Sequence, residues 1–390
     1  MSVRQMLRTH PVLTACAGYV VLRVISALII IWVGQHAYGH PSRDYFGVAT
    51  QWDGQWYRRI VDHGYPATLP HRPDGSVAEN EYAFLPLYPG LVRVLMWATG
   101  GSFPVVATTL SLVLGVAATA VLVVLLRRFV GPAAAAVAAI LWAASPASPA
   151  LQMAYTESLA MMLLGALLWA LTREKWLLAA VLAPVVGLAR PLGPPLVVVA
   201  LVAAWLRWRA REDRPLPVGE RVRIVVMVVS TALAGWIWAA YVGWRTGVRN
   251  GYVLTELAWQ FTDKAHPFGS LLSQLGRVVP MPIGVAIAAA VGVGILALAL
   301  GPWAQRLGWV LRIWVVAYLG YIAAAALVNA SVVRYLLPAF PLAVVLIGAG
   351  RARPSGRQGS RAVGWAAAFV ILQIVWAWGV LRGPGFGGAP

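Results

Sequence analysis

The run 51–65, QWDGQWYRRIVDHGY, sets one carboxylate, Asp53, among aromatic and basic side chains in a chain that is otherwise apolar. Trp52, Trp56 and Ile60 recur every four residues, which puts them on one face of a helix. Tryptophan favours the lipid headgroup region, so the spacing predicts a helix lying in the membrane interface. Asp53 lies about 100° around that helix and would face the protein or an aqueous cleft.

The chemistry predicted for Asp53 is general base catalysis, because a carboxylate in a headgroup-level cleft can take a proton from a hydroxyl group. The alternative is an exposed acid that pairs with Arg58 or Arg59 on the same helix. Asp62 and His63, near the end of the helix, also have two interpretations. They would contribute to the cleft, or they would be surface and helix-capping residues.

Three further ionisable residues interrupt apolar stretches: Glu157, Arg190 and Arg334. Tyr155 lies two positions before Glu157, and Tyr335 directly follows Arg334. An ionisable side chain at membrane depth is costly and usually faces a cavity or a partner. We therefore expect these residues to lie on the same side of the membrane as Asp53. They would line one site, or Glu157 would pair with Arg190 or Arg334 to neutralise buried charge.

The composition indicates that a membrane holds these residues in place. Of 390 residues, 60% are hydrophobic and 11% are charged, whereas soluble domains carry about 25% charged residues. Repeated apolar stretches predict an all-α polytopic membrane protein with a single domain, 1–390. The first apolar run is too long for a cleaved signal peptide, so we expect an uncleaved first span. The single cysteine, Cys16, excludes an intrachain disulfide and a cysteine metal cluster.

The apolar pattern predicts about eleven spans. Their limits are 12–34, 104–126, 133–151, 155–171, 176–190, 193–207, 222–243, 281–300, 309–328, 333–350 and 362–381. Prolines are expected to kink or end helices near 146–149 and 184–195. Two longer loops remain between spans, a first loop at 35–103 with interfacial helices and a second loop at 244–280.

Arginine-rich short loops are typical of the cytoplasmic side. With the predicted spans, the arginine-rich loops all fall on the same side of the membrane as the N-terminus, which carries Arg4 and Arg8. The N-terminus is therefore placed in the cytoplasm. Most of the thirteen acidic residues, Asp263 among them, then fall on the outer face. The net charge of +18 would suit nucleic acid, but arginines beside apolar segments indicate anionic lipid. We predict a membrane partner and no nucleic acid.

Four blocks of this sequence resemble the PIG-V-like mannosyltransferases, which include the enzyme that adds the second mannose of the glycosylphosphatidylinositol anchor, and its bacterial relatives. The family's first luminal loop has Trp-Asp, an aromatic residue a few positions on, Gly-Tyr and Phe-x-Pro-Leu-Tyr-Pro. Here these are Trp52-Asp53, Trp56-Tyr57, Gly64-Tyr65 and 84–89. The other blocks are AYTESL at 154–159, ARPLG at 189–193 and SVVRYLLPAFP at 331–341, in the family's order.

The resemblance implies a GT-C-type fold and an inverting transfer of mannose from a polyprenyl-phosphate mannose to a lipid-linked or glycan acceptor. It implies that Asp53 is the base, that Arg190 and Arg334 bind the donor phosphate, and that Glu157 orients an arginine or the acceptor. The residues expected to bind or orient substrate around them are Trp52, Trp56, Tyr57, His63, Tyr155 and Tyr335. Gln51 departs from the family, since many relatives have a basic residue there.

The chain has no metal-binding pattern of the H-E-x-x-H or D-x-D kind, so we predict no metal and no other cofactor. The scarcity of lysine and the abundance of alanine indicate a bacterial source and hence a bacterial plasma membrane. A transporter or flippase of a lipid-linked saccharide stays open as another function class, as does a non-catalytic scaffold. Within enzymes, another sugar or a protein or arabinan acceptor stays open, and the oligomeric state is unknown.

Overall fold

The computed structural model describes residues 2–36, 43–260, 266–354 and 356–383. Asp263, predicted to be an outer acid, lies outside the described residues, as do the side chain of Arg4 and most of the C-terminal tail. Within the described residues the chain is helical, and its one strand-like pairing is an isolated antiparallel bridge between His71 and Val77. The predicted all-α class is therefore confirmed.

The α-helices begin and end as follows. They are α1 (Val3–Thr9), α2 (Pro11–Gln35), α3 (Tyr45–Ala49), α4 (Asp53–His63), α5 (Leu87–Thr99), α6 (Phe103–Leu126), α7 (Pro132–Ala143), α8 (Glu157–Thr172), α9 (Trp176–Ala189), α10 (Gly193–Arg209), α11 (Val218–Ala234), α12 (Ile237–Thr246), α13 (Gly251–Trp259), α14 (Gly269–Gly276), α15 (Met281–Leu300), α16 (Gly308–Ala325), α17 (Pro341–Leu346) and α18 (Gln358–Leu381). Short 3₁₀ helices cover Glu81–Ala83, Ser148–Leu151, Pro302–Leu307 and Ala330–Ala339.

In the described chain, five helical runs are long and apolar enough to cross a membrane: α2, α6, α15, 302–325 and α18. The pair α11 and α12 makes a sixth when it is counted as one span bent by 45°. Shorter apolar helices, α7, α8 and α9, occupy further predicted spans. The chain is thus an integral membrane protein, with fewer full-length spans than the eleven segments that hydrophobicity marks.

Three of the predicted spans are not continuous helices. The span at 133–151 divides into α7 and a 3₁₀ turn, at the prolines of its second half. The span at 222–243 breaks between α11 and α12. The span at 333–350 divides into the 3₁₀ helix 330–339, which contains Pro338, and α17, which begins at Pro341. Proline removes a backbone donor and clashes with the preceding turn, which accounts for the first and third of these breaks. The break between α11 and α12 falls at Gly235 and Trp236, with no proline in that span.

Buried aromatic side chains satisfy the carbonyl groups that this last break releases. Trp142 donates its indole N–H to the carbonyl of Leu337 at 3.1 Å, and Trp314 donates to that of Pro338 at 2.7 Å. The hydroxyl of Tyr318 donates to the carbonyl of Tyr335, in the same 3₁₀ helix, at 2.6 Å. Irregular backbone at membrane depth requires such partners, and these three fix the segment that carries Arg334.

Close contact of α11 with α9, at Gly187, and with the start of α10, at Gly193, depends on glycine. A Cβ atom added to Gly187 would lie 2.4 Å from the carbonyl oxygen of Ala234, and one added to Gly193 would lie 2.6 Å from the Cα of Gly235. Small residues let membrane helices approach this closely. The contact fixes the course of α9, whose last residue precedes Arg190.

Charged residues of two predicted cytoplasmic loops meet at one end of the helices. Arg207 is buried and donates to both carboxylate oxygens of Glu220, at 2.8 and 2.7 Å, and to the carbonyl of Pro215 at 2.8 Å. Glu174, from the loop between α8 and α9, pairs with Arg214. The loops 173–175 and 207–220 therefore lie together, about 24 Å along α8 from its first residue at 1.5 Å per residue.

Candidate active site

The carboxylate of Asp53 is held by the guanidinium group of Arg334. Nη1 donates to Oδ2 at 2.5 Å and Nη2 donates to Oδ1 at 3.1 Å. The two side chains are 15% and 4% exposed. This is the bidentate geometry in which arginine binds a carboxylate most strongly, and it joins the first long loop to the segment 330–339.

Glu157 extends this pair to a second arginine. Its Oε1 accepts from Nη1 of Arg334 at 3.0 Å and lies 3.2 Å from Nη1 of Arg190. The Glu157 side chain is fully buried and that of Arg190 is 12% exposed. We call Asp53, Glu157, Arg190 and Arg334 the charge cluster. Its two carboxylates and two guanidinium groups balance in charge, as buried ions require.

The ends of α8 and α9 position Glu157 and Arg190. The hydroxyl of Thr156, the residue before α8, donates to the carbonyl of Ala189, the last residue of α9, at 3.2 Å. Glu157 is the first residue of α8, where the helix dipole favours a negative charge. Arg190 follows α9 in an extended conformation. This hydrogen bond joins the start of α8 to the end of α9, so Glu157 and Arg190 lie next to each other.

The start of α4 positions Asp53. Trp52 precedes the helix with a φ of 56°, a conformation that is costly for a bulky side chain and persists where surrounding packing imposes it. Gly54 follows, and a Cβ added there would lie 3.4 Å from the Cβ of Ala154. The Ala154 N–H donates to the carbonyl of Ala49 at 2.8 Å. The loop and the segment before Glu157 are thus packed directly together.

Three tyrosines surround the charge cluster. The guanidinium carbon of Arg334 lies 5.1 Å from the ring centre of Tyr155 and 5.3 Å from that of Tyr335, and Arg190 lies 5.3 Å from Tyr335. Such cation–π contacts stabilise buried guanidinium groups. Burial raises the pKa of Tyr57 well above its ordinary value, and the charges of the nearby carboxylates add to the rise. Tyr57 is therefore a neutral phenol beside the cluster.

Several buried polar atoms at the cluster have no hydrogen-bond partner within the described chain. They are the indole nitrogen of Trp52, the hydroxyl of Tyr155 and Oε2 of Glu157. An unsatisfied buried polar atom is expensive, and native proteins carry few of them. Oε2 of Glu157 belongs to the cluster, Trp52 is the residue before Asp53, and the ring of Tyr155 contacts Arg334, so the cluster and its neighbours have unused hydrogen-bonding capacity.

The structure corrects the expectation for the tryptophan face of α4. Trp56 stacks on Phe84, with ring centres 5.6 Å apart, and meets Trp259 edge-on at 5.1 Å. Ile60 is 5% exposed, and Trp52 precedes the helix rather than lying on it. The face that the spacing assigned to lipid headgroups is packed inside the protein, with Trp56 against both long loops and Trp52 against a buried cluster that includes Tyr155. Apolar spacing alone does not distinguish these two environments.

The structure also separates residues that the sequence grouped together. His63 is exposed at the last position of α4, about 15 Å along the helix from Asp53 at 1.5 Å per residue. Arg58 pairs with Asp62 at 3.3 Å, and Arg59 lies over the ring of Trp56 at 4.5 Å. Neither arginine is the partner of Asp53 in the described structure, which overturns the surface-pair alternative.

Arg23 is a buried residue that the sequence analysis missed. Its side chain is 2% exposed in the middle of α2, and it donates to the carbonyl of Ala143 at 2.6 Å, to the Ser148 hydroxyl at 3.0 Å and to the Ser148 carbonyl. It therefore fixes the turn that leads to Tyr155 and Glu157. An arginine inside a 25-residue apolar helix could have been recognised from the sequence as a buried residue with partners in the protein.

No family model matches this chain, and no curated protein matches it. Among solved structures, it is similar to ArnT from Cupriavidus metallidurans bound to undecaprenyl phosphate, with a TM-score of 0.52 and 18% identity. It is also similar to the Archaeoglobus fulgidus oligosaccharyltransferase tethered with an acceptor peptide, with a TM-score of 0.50 and 14% identity.

The similarity to ArnT covers 90% of this chain and 63% of that chain. The similarity to the oligosaccharyltransferase covers 99% of this chain and 56% of that one. This chain thus spans less than two thirds of either structure. Identities this low report on the fold alone. The chain shares the fold of these two structures over the aligned residues.

Proposed function

We propose that this protein is a membrane glycosyltransferase. It transfers mannose from a polyprenyl-phosphate mannose to a lipid-linked or glycan acceptor, with inversion, on the extracytoplasmic side. The shared fold supports the reaction class, and the undecaprenyl phosphate bound to ArnT supports a polyprenyl-phosphate donor. The resemblance of four sequence blocks to the PIG-V-like mannosyltransferases supports mannose, and the arginine-rich loops at the opposite end of α8 support the orientation.

The observation that supports this function most strongly is the meeting of Asp53 with Arg190, Arg334 and Glu157 in one buried cluster. Glycosyl transfer from a lipid phosphate needs a base for the acceptor hydroxyl and cations for the departing phosphate. The cluster supplies both, and the ring of Tyr155, whose hydroxyl has no partner in the described chain, lies 5.1 Å from the guanidinium carbon of Arg334.

Asp53 acts as the general base in this proposal. The acceptor hydroxyl loses its proton to the Asp53 carboxylate while its oxygen forms a bond to the anomeric carbon. The bond from that carbon to the phosphate oxygen breaks on the opposite face, and its electron pair leaves with the phosphate. Proton transfer of this kind accelerates reactions about 10²–10⁴-fold. The acceptor hydroxyl takes up contacts that Arg334 makes with Asp53 in the ligand-free protein.

Arg190 and Arg334 bind the donor phosphate and stabilise the charge that it gains. Nη1 of Arg190 lies 3.2 Å from Oε1 of Glu157, and a guanidinium group has five N–H donors with which to hold phosphate oxygens as well. Arg334 spans both carboxylates and couples phosphate binding to the position of Asp53. Glu157 orients the two guanidinium groups, and Tyr335 supports them through its ring.

The test is transfer from radiolabelled polyprenyl-phosphate mannose in membranes that express wild type, Asp53→Asn or Asp74→Asn. Asp74 is a matched control, since it is an exposed acid of the same loop that bonds only to Ser76 among the described residues. We expect transfer by wild type and Asp74→Asn, and a loss of about 10²-fold or more in Asp53→Asn.

Three other outcomes would change the proposal. Full activity in Asp53→Asn would remove Asp53 from the mechanism. Transfer from a donor with another sugar, but not from the mannose donor, would change the substrate. Movement of a lipid-linked saccharide across the membrane without transfer would favour the flippase. Activity in the presence and absence of a chelator tests the predicted independence from metal.

A further inference from the structure

Helix α13, in the second long loop, contacts two parts of the protein that support the charge cluster. Trp259, its last residue, meets Trp56 of α4 edge-on, with ring centres 5.1 Å apart. The side-chain amide of Gln260, the next residue, donates to the carbonyl of Ala325 at the end of α16, at 3.3 Å. Helix α16 in turn bonds two carbonyls of the broken segment 330–339. The end of α13 therefore connects α4 with α16.

The contact with α4 lies close to the catalytic carboxylate. Trp56 follows Asp53 by three residues, and residues at this spacing are neighbours on a helix surface. Trp56 also stacks on Phe84 at 5.6 Å, and Trp259 meets Phe84 edge-on at 5.5 Å. Such aromatic pairs stabilise a structure beyond the area that they bury. The ring of Trp259 thus restrains the first two turns of α4 through Trp56.

Buried polar bonds hold α13 in place against the first long loop. Asn80 is 1% exposed, and its side-chain nitrogen donates to the hydroxyl of Thr255, in the middle of α13, at 3.1 Å. The carbonyl of Asn80 accepts from the indole N–H of Trp259 at 3.3 Å. Buried polar groups that are satisfied in this way favour one arrangement. Trp259 therefore has a defined position on both long loops.

We infer that Trp259 is a positioning residue for Asp53. The inference rests on the proposed function, because it takes Asp53 to be the base. The Trp259 side chain acts through Trp56, and the bond from Gln260 to α16 ties the same helix end to the element that supports Arg334. Loss of the ring frees the start of α4 to move relative to the rest of the cluster. A misplacement of about 1 Å between reacting groups can cost on the order of 10²-fold in rate.

Trp238, on α12, provides a matched control. It is 5% exposed, and its indole N–H donates to the carbonyl of Tyr82 at 2.8 Å, as that of Trp259 does to Asn80. Its ring lies 4.9 Å from that of Tyr65. Among the described residues, the buried cluster around Trp238 includes no member of α4. Loss of Trp238 removes packing and a hydrogen bond of the same kind without touching the helix that carries Asp53.

The test is hydrogen–deuterium exchange, measured by mass spectrometry on the full-length protein in lipid nanodiscs. The proteins are wild type, Trp259→Leu, Trp259→Phe and Trp238→Leu, and the readout is the exchange rate of the backbone amides of residues 53–60. This readout uses neither donor nor turnover, so its result is separate from that of the transfer assay. Turnover number and KM for the donor are then measured on the same samples.

We expect exchange in residues 53–60 to rise about fivefold in Trp259→Leu, on the order of one lost aromatic pair. Trp259→Phe keeps an aromatic ring against Trp56, and Trp238→Leu leaves α4 untouched, so both should resemble wild type. The turnover number per folded protein should fall in Trp259→Leu and recover in Trp259→Phe. The KM for the donor should change little, because Trp259 contacts neither arginine of the charge cluster within the described structure.

Unchanged exchange in Trp259→Leu, or an equal rise in Trp238→Leu, would overturn the inference. Raised exchange with a normal turnover number would also overturn it, since α4 would then move without consequence for the base. If Trp259→Leu does not fold, Trp259→Met decides. A wild type that transfers no sugar would contradict the proposed function, and the exchange rates would then decide whether Trp259 restrains α4.

Discussion

Arg334 holds both oxygens of the Asp53 carboxylate, at 2.5 and 3.1 Å, although 281 residues separate the two in the chain. The pair joins a loop helix to a proline-broken membrane segment. It also gives Asp53 a defined orientation before any substrate binds. A base that is held in this way costs little further entropy when the acceptor arrives.

A double-mutant cycle should detect this pair as a coupling energy. Arg334→Gln leaves two carboxylates without their shared cation and should lower the free energy of unfolding by about 3–5 kcal/mol. Asp53→Asn keeps one acceptor oxygen and should cost about 1–3 kcal/mol. The double variant should lose less than the sum, by about 0.5–3 kcal/mol. Denaturant unfolding in mixed micelles measures all four proteins, and strict additivity would mean that the pair does not form.

Glu157→Gln should destabilise the protein far more than a change at an exposed pair. Glu157 is fully buried between Arg190 and Arg334. Its loss leaves Asp53 as the one carboxylate of the cluster beside two guanidinium groups, so one buried positive charge is uncompensated, at a cost of about 3–5 kcal/mol. The matched control is Glu79→Gln, whose partner Arg72 lies at 2.8 Å with about a third of each side chain exposed. That change should cost at most about 1 kcal/mol. Equal losses in the two variants would contradict the buried geometry.

Stability should depend on pH through Glu256, in the second long loop. Burial raises the pKa of Glu256 from 4.5 to about 7. The folded protein therefore holds this proton more tightly than the unfolded chain does. The resulting stabilisation is complete below about pH 4.5 and is lost as the pH rises through about 7. The unfolding midpoint of wild type should fall across this window relative to that of Glu256→Gln. Parallel pH profiles for the two proteins would show that Glu256 titrates normally.

Arg23→Met should lower both stability and transfer. The change leaves the carbonyls of Ala143 and Ser148 without their donor, and these carbonyls define the turn that leads to Glu157. The control is Arg312→Met, because Arg312 also donates to backbone carbonyls, those of residues 299 and 300. Both variants should lose stability, by about 1–3 kcal/mol. The turnover number per folded protein should fall only in Arg23→Met, with Arg23 acting as a positioning residue.

The unfolding midpoint and the initial transfer rate, measured on the same purified samples, separate these two effects. A normal turnover number in Arg23→Met would show that the turn holds its shape without the arginine. A similar fall in both variants would point to general destabilisation of the fold.

The membrane class and the limits of most predicted spans follow from the sequence alone, because hydrophobicity along the chain is a local property. Segment 104–126, for example, was predicted within one residue of α6 (Phe103–Leu126). The sequence also identified Glu157, Arg190 and Arg334 as costly residues with a shared partner. A charged residue inside an apolar segment can be recognised from the sequence, and the cost of burying it predicts a partner.

Which residues meet depends on the tertiary structure. The Asp53–Arg334 pair depends on the break at Pro338 and on Trp142 and Trp314, whose bonds fix the broken segment. The inward packing of Trp56 depends on the second long loop, which brings Trp259 against it. Contacts between residues far apart in the chain follow from the packing of whole elements, and the spacing of residues within one helix does not contain that information.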